Sequence, residues 1–134
     1  MTVTALLRRI KADPANAELL QNLGRLYAKT GRMKEAKAAY ERSLELDPCN
    51  PWTHMFLGNW YYFLEEDKNA VACFKRAADL LPNHPTPFWC LGDAYASLGF
   101  DALATENYSQ AIKLNPDDEA AKKRLRDWRD GHEW

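Results

Sequence analysis

Apolar residues recur every three or four positions along most of the chain, and turns containing proline or glycine interrupt this spacing at regular intervals. The pattern predicts helices of about 14 residues that are joined in pairs. A shift of 34 residues superimposes the sequence on itself at six sets of positions. These sets are Leu23, Leu57 and Leu91; Gly24, Gly58 and Gly92; Tyr27, Tyr61 and Tyr95; Ala36, Ala70 and Ala104; Tyr40, Phe74 and Tyr108; and Pro14, Pro48, Pro82 and Pro116. Self-similarity at this period predicts an all-α solenoid of stacked helical hairpins.

The turn inside each hairpin is not the same in the three units. Gly31 and Gly99 supply the turn in the first and third units, whereas Glu65 stands at the equivalent position of the middle unit. We therefore expect the middle turn to close differently, with Asp67 as the cap of the following helix.

Three glycines lie inside predicted helices, at positions 24, 58 and 92. A glycine there costs about 1 kcal/mol relative to alanine, so these positions need a packing reason. Close approach of the partner helix in the same hairpin is the reason that we expect.

The repeated residues resemble the tetratricopeptide repeat, whose pattern joins W-x2-L-G-x2-Y, A-x3-F and a closing proline. The bulky first position is Leu20, His54 and Phe88 here, and we expect His54 to be a partly buried, hydrogen-bonded imidazole. The resemblance implies an all-α, right-handed solenoid of antiparallel helical hairpins, with about seven or eight helices in one domain. Its expected parts are a single domain over 1–134, an N-terminal capping helix over 2–13, three units over 17–50, 51–84 and 85–118, and a C-terminal capping helix over 118–130.

The two capping helices are expected to close the ends of the array. In the first, Leu6 stands at the aromatic position of the repeat. The last helix begins after Asp117 or Asp118 as cap, and its apolar residues cover the third unit. Those apolar residues are Ala121, Leu125 and Trp128, while Lys122, Lys123, Arg124, Arg126 and Arg129 are expected to face water.

Composition and charge narrow the range of partners. The chain is 46% hydrophobic and 28% charged, and 18 basic against 19 acidic residues give a net charge of −1. No global field would draw it onto nucleic acid or a membrane, so we expect neither as partner. It contains neither a signal-peptide pattern nor an apolar run long enough to span a bilayer, and its three cysteines lack metal or CxxC spacing. These features favour a cytoplasmic protein with free thiols.

Catalytic and metal-binding patterns are not found. His54, His84 and His132 lack the spacing of metal ligands. No nucleophile elbow and no phosphate-binding glycine loop occurs, and the helical glycines are already assigned to packing. We therefore expect no enzyme activity, no metal and no cofactor.

Residues 51–64 form a helix that is apolar on two sides. One stripe, which includes Leu57 and Tyr61, faces the partner helix of the hairpin. The second stripe lies where an ordinary surface helix is polar. It contains Trp52, Met55, Asn59 and Tyr62, flanked by Phe56 and Phe63. A cluster of this size exceeds the normal apolar patches of a monomer, so it predicts a partner surface.

The resemblance implies where this second stripe lies, because the first helices of successive tetratricopeptide units line a concave groove. The groove wall would run from basic in unit one, through aromatic in unit two, to Trp89 and acidic Asp93 in unit three. The candidate peptide-binding residues are Arg25, Lys29, Trp52, Met55, Phe56, Asn59, Tyr62, Phe63, Trp89 and Asp93.

A known ligand class of the family does not fit these positions. Tetratricopeptide domains that grip acidic chaperone tails use several cationic and amide side chains in the groove. The matching residues here are Gln21, Arg25, Phe56, Thr86 and Cys90, of which only Arg25 is cationic. We expect instead a protein-interaction module for a peptide or protein segment with apolar or aromatic anchors, and Arg25 and Lys29 can meet an acidic flank.

Self-association is the alternative function. The aromatic stripe, or Trp60, Trp128 and Trp134, could bury against a second copy in a homodimer or larger scaffold. A related hypothesis places the tail, residues 132–134, in the groove of its own or a neighbouring chain.

Overall fold

The computed structural model describes residues 1–131. Within this range the chain forms eight helices and no strand. The helices are α1 (Val3–Ala12), α2 (Ala17–Lys29), α3 (Met33–Leu46), α4 (Pro51–Phe63), α5 (Asp67–Leu80), α6 (Pro85–Ser97), α7 (Asp101–Leu114) and α8 (Glu119–Asp130). The all-α solenoid is confirmed. Its hairpins are α2–α3, α4–α5 and α6–α7, and each packs on the next. The unit boundaries drawn from the 34-residue period remain a prediction, as does the tail, which lies outside the described residues.

The first helix of each unit begins at a polar side chain that caps free backbone amides. Asn16, Asn50, His84 and Asp118 follow one another at the repeat period, and each accepts a hydrogen bond from the backbone of its own helix. In α4 the Asn50 Oδ1 lies 3.0 Å from Trp52 N. The expected cap of the last helix is therefore Asp118. The first helix therefore begins at the equivalent repeat position in every unit.

The helical glycines let the two helices of each hairpin approach one another, as expected. A Cβ atom added to Gly58 would lie 2.6 Å from Cε1 of Phe74 on α5, closer than real contacts allow. The same relation holds for Gly24 with Tyr40 and for Gly92 with Tyr108. An aromatic ring of the second helix thus lies against bare backbone of the first helix.

The expectation that the middle turn closes differently is wrong. Glu65 adopts a left-handed conformation with φ 61°, close to the 82° and 79° of the glycines at positions 31 and 99. The Glu66 amide donates to the Tyr61 carbonyl over 2.8 Å, and the equivalent bonds of the other two units measure 2.9 Å. The packed hairpin therefore imposes on a glutamate the conformation that glycine adopts more easily.

Asp67 is also not a cap. It is the first residue of α5, and Glu66 at the N-cap position makes no side-chain capping bond. The Asp67 carboxylate accepts a hydrogen bond from Ser97 Oγ over 2.7 Å, so it joins the second unit to the third.

Units one and two are joined by buried polar contacts. Gln21 Nε2 donates to Thr53 Oγ1 over 2.8 Å, and Trp60 Nε1 donates to the Met33 carbonyl over the same distance. Trp60 is 8% exposed. Trp60 is thus part of the packing between units, which corrects the expectation that it could bind a second copy.

The ends of the array are covered as expected, with one difference. Leu6 of α1 is buried against α2, and Ala121 and Leu125 of α8 are buried against the third unit. Arg124, which was expected to face water, turns inward and pairs with Asp93. The last helix is therefore joined to the third unit by a charge pair in addition to apolar contacts.

We predict that Gly58→Ala destabilises the protein by about 1–3 kcal/mol, because the new methyl group overpacks the Phe74 ring. Urea denaturation followed by circular dichroism measures this change. Combining it with Phe74→Leu frees space for the methyl group, so the double variant should lose less stability than the sum of the single variants. Additive losses would contradict the proposed contact.

We predict that Glu65→Gly stabilises the protein by about 1 kcal/mol, because glycine carries no penalty in the left-handed conformation. The corresponding rise in Tm is about 3 °C for a domain of this size. Glu65→Ala is the matched control, since it removes the carboxylate but keeps Cβ. An equal gain in the alanine variant would show that charge, and not backbone conformation, limits stability at this turn.

Candidate functional site

One face of α4, formed by Trp52, Phe56, Asn59 and Phe63, lies beside α2 and is at least partly exposed within the described chain. Trp52 is 41% exposed and Phe63 is 74% exposed, while Asn59 is exposed and Phe56 is half-buried. These four residues follow helical spacing along one face of α4. The expectation of a second apolar face on α4 is therefore met by Trp52, Phe56 and Phe63.

Met55 does not belong to this exposed stripe. Its side chain is only 4% exposed and packs in the core with α5 and α6. The expectation that it lines the groove is therefore corrected. Residue 55 lies at the margin of the stripe, where the next unit covers it.

Phe56, Asn59 and Phe63 form one side of an apolar depression between α2 and α4, which we call the aromatic recess. Its volume is about 360 Å³. The lining residues are Ala28, Lys29, Met33, Tyr40, Phe56, Asn59, Trp60 and Phe63. The Tyr40 and Phe56 rings stack with centroids 6.2 Å apart. Burial raises the pKa of Tyr40 to about 12, opposed by the charge of Arg25, so its hydroxyl stays neutral.

Arg25 divides the groove between α2 and α4. Its guanidinium carbon lies 4.7 Å from the centre of the Phe56 ring, in the geometry of a cation–π contact. A second, more polar depression of about 550 Å³ lies on the other side of this contact, and Trp52 is part of its wall. The residues that line it are Glu18, Gln21, Arg25, Asp47, Asn50, Trp52 and Phe56. The groove thus offers an apolar compartment and a polar one.

In the third unit, the acidic residue expected in the groove wall, Asp93, is paired within the chain. Asp93 accepts hydrogen bonds from Tyr108 over 2.5 Å and from Arg124 over 2.7 Å. The Arg124 guanidinium also lies 4.3 Å from the centre of the Trp89 ring. Asp93 and Trp89 therefore hold α8 in place. Their expected role in peptide binding stays a prediction.

Burial dominates the electrostatics of this third-unit cluster. It raises the pKa of Asp93 above its ordinary value, while the Tyr108 hydrogen bond and the Arg124 charge oppose the shift. Burial also raises the pKa of the Cys90 thiol to about 12. A thiol with this pKa stays protonated and is a poor nucleophile.

The remaining candidate residues are Arg25 and Lys29 on α2 and Tyr62 on α4. Arg25 and Lys29 are exposed on α2; Lys29 lines the aromatic recess, and Arg25 lies over the Phe56 ring. Tyr62, 39% exposed, faces the third unit, where burial and, to a smaller extent, the charge of Asp93 raise its pKa. Sequence reasoning missed Tyr40 as part of the recess. The repeat aligned this ring as a core position, but only the tertiary structure shows that Tyr40 also lines the recess.

Other candidate chemistry can be placed as well. His54 Nε2 lies 2.8 Å from the Pro48 carbonyl, which agrees with the expected hydrogen-bonded imidazole. Among residues 1–131, no group of three or more potential ligands could hold a metal ion. Each helix in this range is too short or too polar to cross a membrane.

Comparisons with known proteins agree with this architecture. The family profile described as "Tetratricopeptide repeat" matches residues 17–49 and 91–118. A crystal structure of MamA is 26% identical, covers 96% of this chain and 75% of its own, and has a TM-score of 0.87. YrrB, titled a TPR protein with an unusual peptide-binding site, is 25% identical, with 92% and 64% covered and a TM-score of 0.82.

A third solved structure shows the same fold. The first TPR of Spaghetti (RPAP3), bound to the HSP90 peptide SRMEEVD, is 24% identical, covers 86% of this chain and 91% of its own, and has a TM-score of 0.80. No curated protein sequence matches significantly. The family profile thus matches two of the three helical hairpins, and the fold of the chain is that of solved tetratricopeptide repeat proteins.

We predict a pH-dependent difference in stability between the wild type and Asp93→Asn. Because burial raises the pKa of Asp93, the folded state binds a proton more tightly than the unfolded chain, and wild-type stability falls as pH rises through the folded-state pKa. Asparagine can still accept the Tyr108 hydrogen bond but does not titrate. The wild type should therefore lose free energy of unfolding relative to the variant as pH rises from the ordinary pKa of an aspartate, about 4, through the raised pKa of the folded state.

Urea denaturation of both proteins across this pH range measures the difference. A relative gain of the wild type with rising pH would show that the Arg124 pairing outweighs the cost of burying the carboxylate.

Proposed function

We propose that this protein is an interaction module that binds a peptide or protein segment through an apolar or aromatic anchor in the aromatic recess. The observation that carries the proposal is the exposed aromatic stripe of α4 beside this recess. Phe63 leaves three quarters of its surface uncovered, although the opposite face of α4, with Leu57 and Trp60, is buried in the core. The preferred occupant is therefore a segment that covers Phe63 and buries one side chain beside Phe56.

The shape and rigidity of the recess support this occupant. A volume of about 360 Å³ is at the lower end of the range of ligand pockets, which suits a single anchoring side chain better than a large cofactor. Phe56 is held by Tyr40 on one side and by Arg25 on the other. Because these rings are already ordered, a ligand loses little of its binding free energy to side-chain immobilisation.

The family relationship supports the same class of function. YrrB, which shares this fold, is described as having a peptide-binding site. Aromatic side chains at the centre of such a groove are the residue type that dominates interface energetics. The competing occupant is a second copy of this chain on the same stripe, which becomes an outcome of the test below.

We predict that Phe63→Ala weakens peptide binding by about 1–2 kcal/mol without loss of helicity, because this ring is exposed and contributes little to the core. Synthetic peptides carrying a single Trp, Phe or Leu anchor are titrated against the protein by calorimetry. Leu103→Ala is the matched control, since Leu103 is a 40% exposed apolar residue on α7, outside the recess. The control should bind as the wild type does.

Sedimentation of the wild type and Phe63→Ala at micromolar concentration completes this test. A monomer that binds anchored peptides supports the proposal. A tight dimer that Phe63→Ala dissociates, without peptide binding by either protein, would overturn it in favour of self-association.

A further inference from the structure

A second recess lies between α1 and α2, next to the aromatic recess, and differs from it in charge. Its volume is about 450 Å³. It is lined by Met1, Leu6, Arg9, Asn22, Arg25, Leu26 and Lys29. Three of these side chains are cationic, and we call this depression the cationic recess. Leu6 and Leu26 give it a partly apolar floor.

The cationic recess is the repeat equivalent of the aromatic recess. Five of its lining residues, moved forward by one period of 34, become lining residues of the aromatic recess. The pairs are Leu6 and Tyr40, Asn22 and Phe56, Arg25 and Asn59, Leu26 and Trp60, and Lys29 and Phe63. Four of these places hold an aromatic ring in the aromatic recess, whereas in the cationic recess the same four hold two leucines, an asparagine and a lysine.

The cations of this recess have no carboxylate partner within residues 1–131. In this range, no ion pair involves Arg9, Arg25 or Lys29. Arg9 Nη1 donates a long hydrogen bond of 3.9 Å to the Met1 sulfur. Residues 1–32 contain six Lys or Arg and two Asp or Glu, which gives this part of the chain a net charge of +4 while the whole chain carries −1. The local field therefore favours an anionic ligand group.

We propose that the peptide bound in the aromatic recess places an anionic side chain, a carboxylate or a phosphate ester, in the cationic recess. This inference rests on the proposed function and adds a second recognition element to it. It is not a chaperone-tail clamp, because the groove positions of that clamp carry only one cation here. The additional cations come from Lys29 and from Arg9 of the capping helix.

The distance between the two recesses sets the spacing of the two peptide residues. Neighbouring packed helices lie about 8–10 Å apart, and an extended peptide advances about 3.3 Å per residue. One repeat therefore corresponds to about three residues of extended peptide. The sequence feature that fits both recesses is an apolar or aromatic residue separated by about three positions from an anionic one.

The test uses synthetic peptides with one Trp or Leu anchor and with Glu, phosphoserine or Gln placed one to six residues to either side. At a separation of about three residues, the Glu or phosphoserine peptide should bind the wild type about three- to tenfold more tightly than the Gln peptide, and less so at high salt. The larger preference, for Glu or for phosphoserine, identifies the source of the anion.

Two charge-matched double variants locate the effect. In Arg9→Gln with Lys29→Gln, the ratio of affinities for the Glu and Gln peptides should fall to about one. In Arg8→Gln with Lys11→Gln the ratio should stay unchanged, because these two exposed α1 cations do not line the recess. An equal loss of the ratio in both double variants would overturn the inference in favour of a general field.

The remaining outcomes separate the two proposals. If the wild type binds Glu, phosphoserine and Gln peptides equally while Phe63→Ala weakens all of them, the cationic recess has no role and the proposed function stands. If no anchored peptide binds, the proposed function fails and this inference fails with it.

Discussion

The contact between a bare glycine of the first helix and an aromatic ring of the second is the constraint on which each hairpin depends. It brings the helices close enough for the ring to reach through to the groove side. In unit one the Tyr40 ring, packed on Gly24, becomes part of the aromatic recess. In unit three the equivalent Tyr108, packed on Gly92, reaches Asp93. A packing requirement of the hairpin therefore also builds part of the candidate site.

Substitution at a few equivalent positions turns one scaffold into three different surfaces. Lys29, Phe63 and Ser97 stand at the same place in successive units, and they give a cation, an exposed ring and a hydroxyl bonded to Asp67. Lys29 lines the cationic and the aromatic recess, and Phe63 lines the aromatic recess. In the third unit, Arg124 occupies the space beside Trp89. The array thus presents a charged and an apolar compartment toward its N-terminal end.

Periodicity predicted the parts of the fold that depend on local spacing. The residues that recur every 34 positions predicted where helices start and which Ala and aromatic residues are buried. They also predicted the glycine contacts, of which Gly58 with Phe74 is an example. The expectation failed at Glu65, where the residue type favours one conformation and the packed hairpin requires another. It also failed at Met55, because one helix viewed alone does not show which margin the next unit covers.

The sequence by itself determined the repeat, the solenoid and the presence of an aromatic helix face, because these depend on residues close together in the chain. Tertiary structure alone decided which candidate residues stay accessible. Arg124 lies 31 residues from Asp93 in the chain, and their pairing depends on how α8 packs against α6 and α7. Accessibility is a property of the surfaces that cover a residue, and those surfaces come from other units.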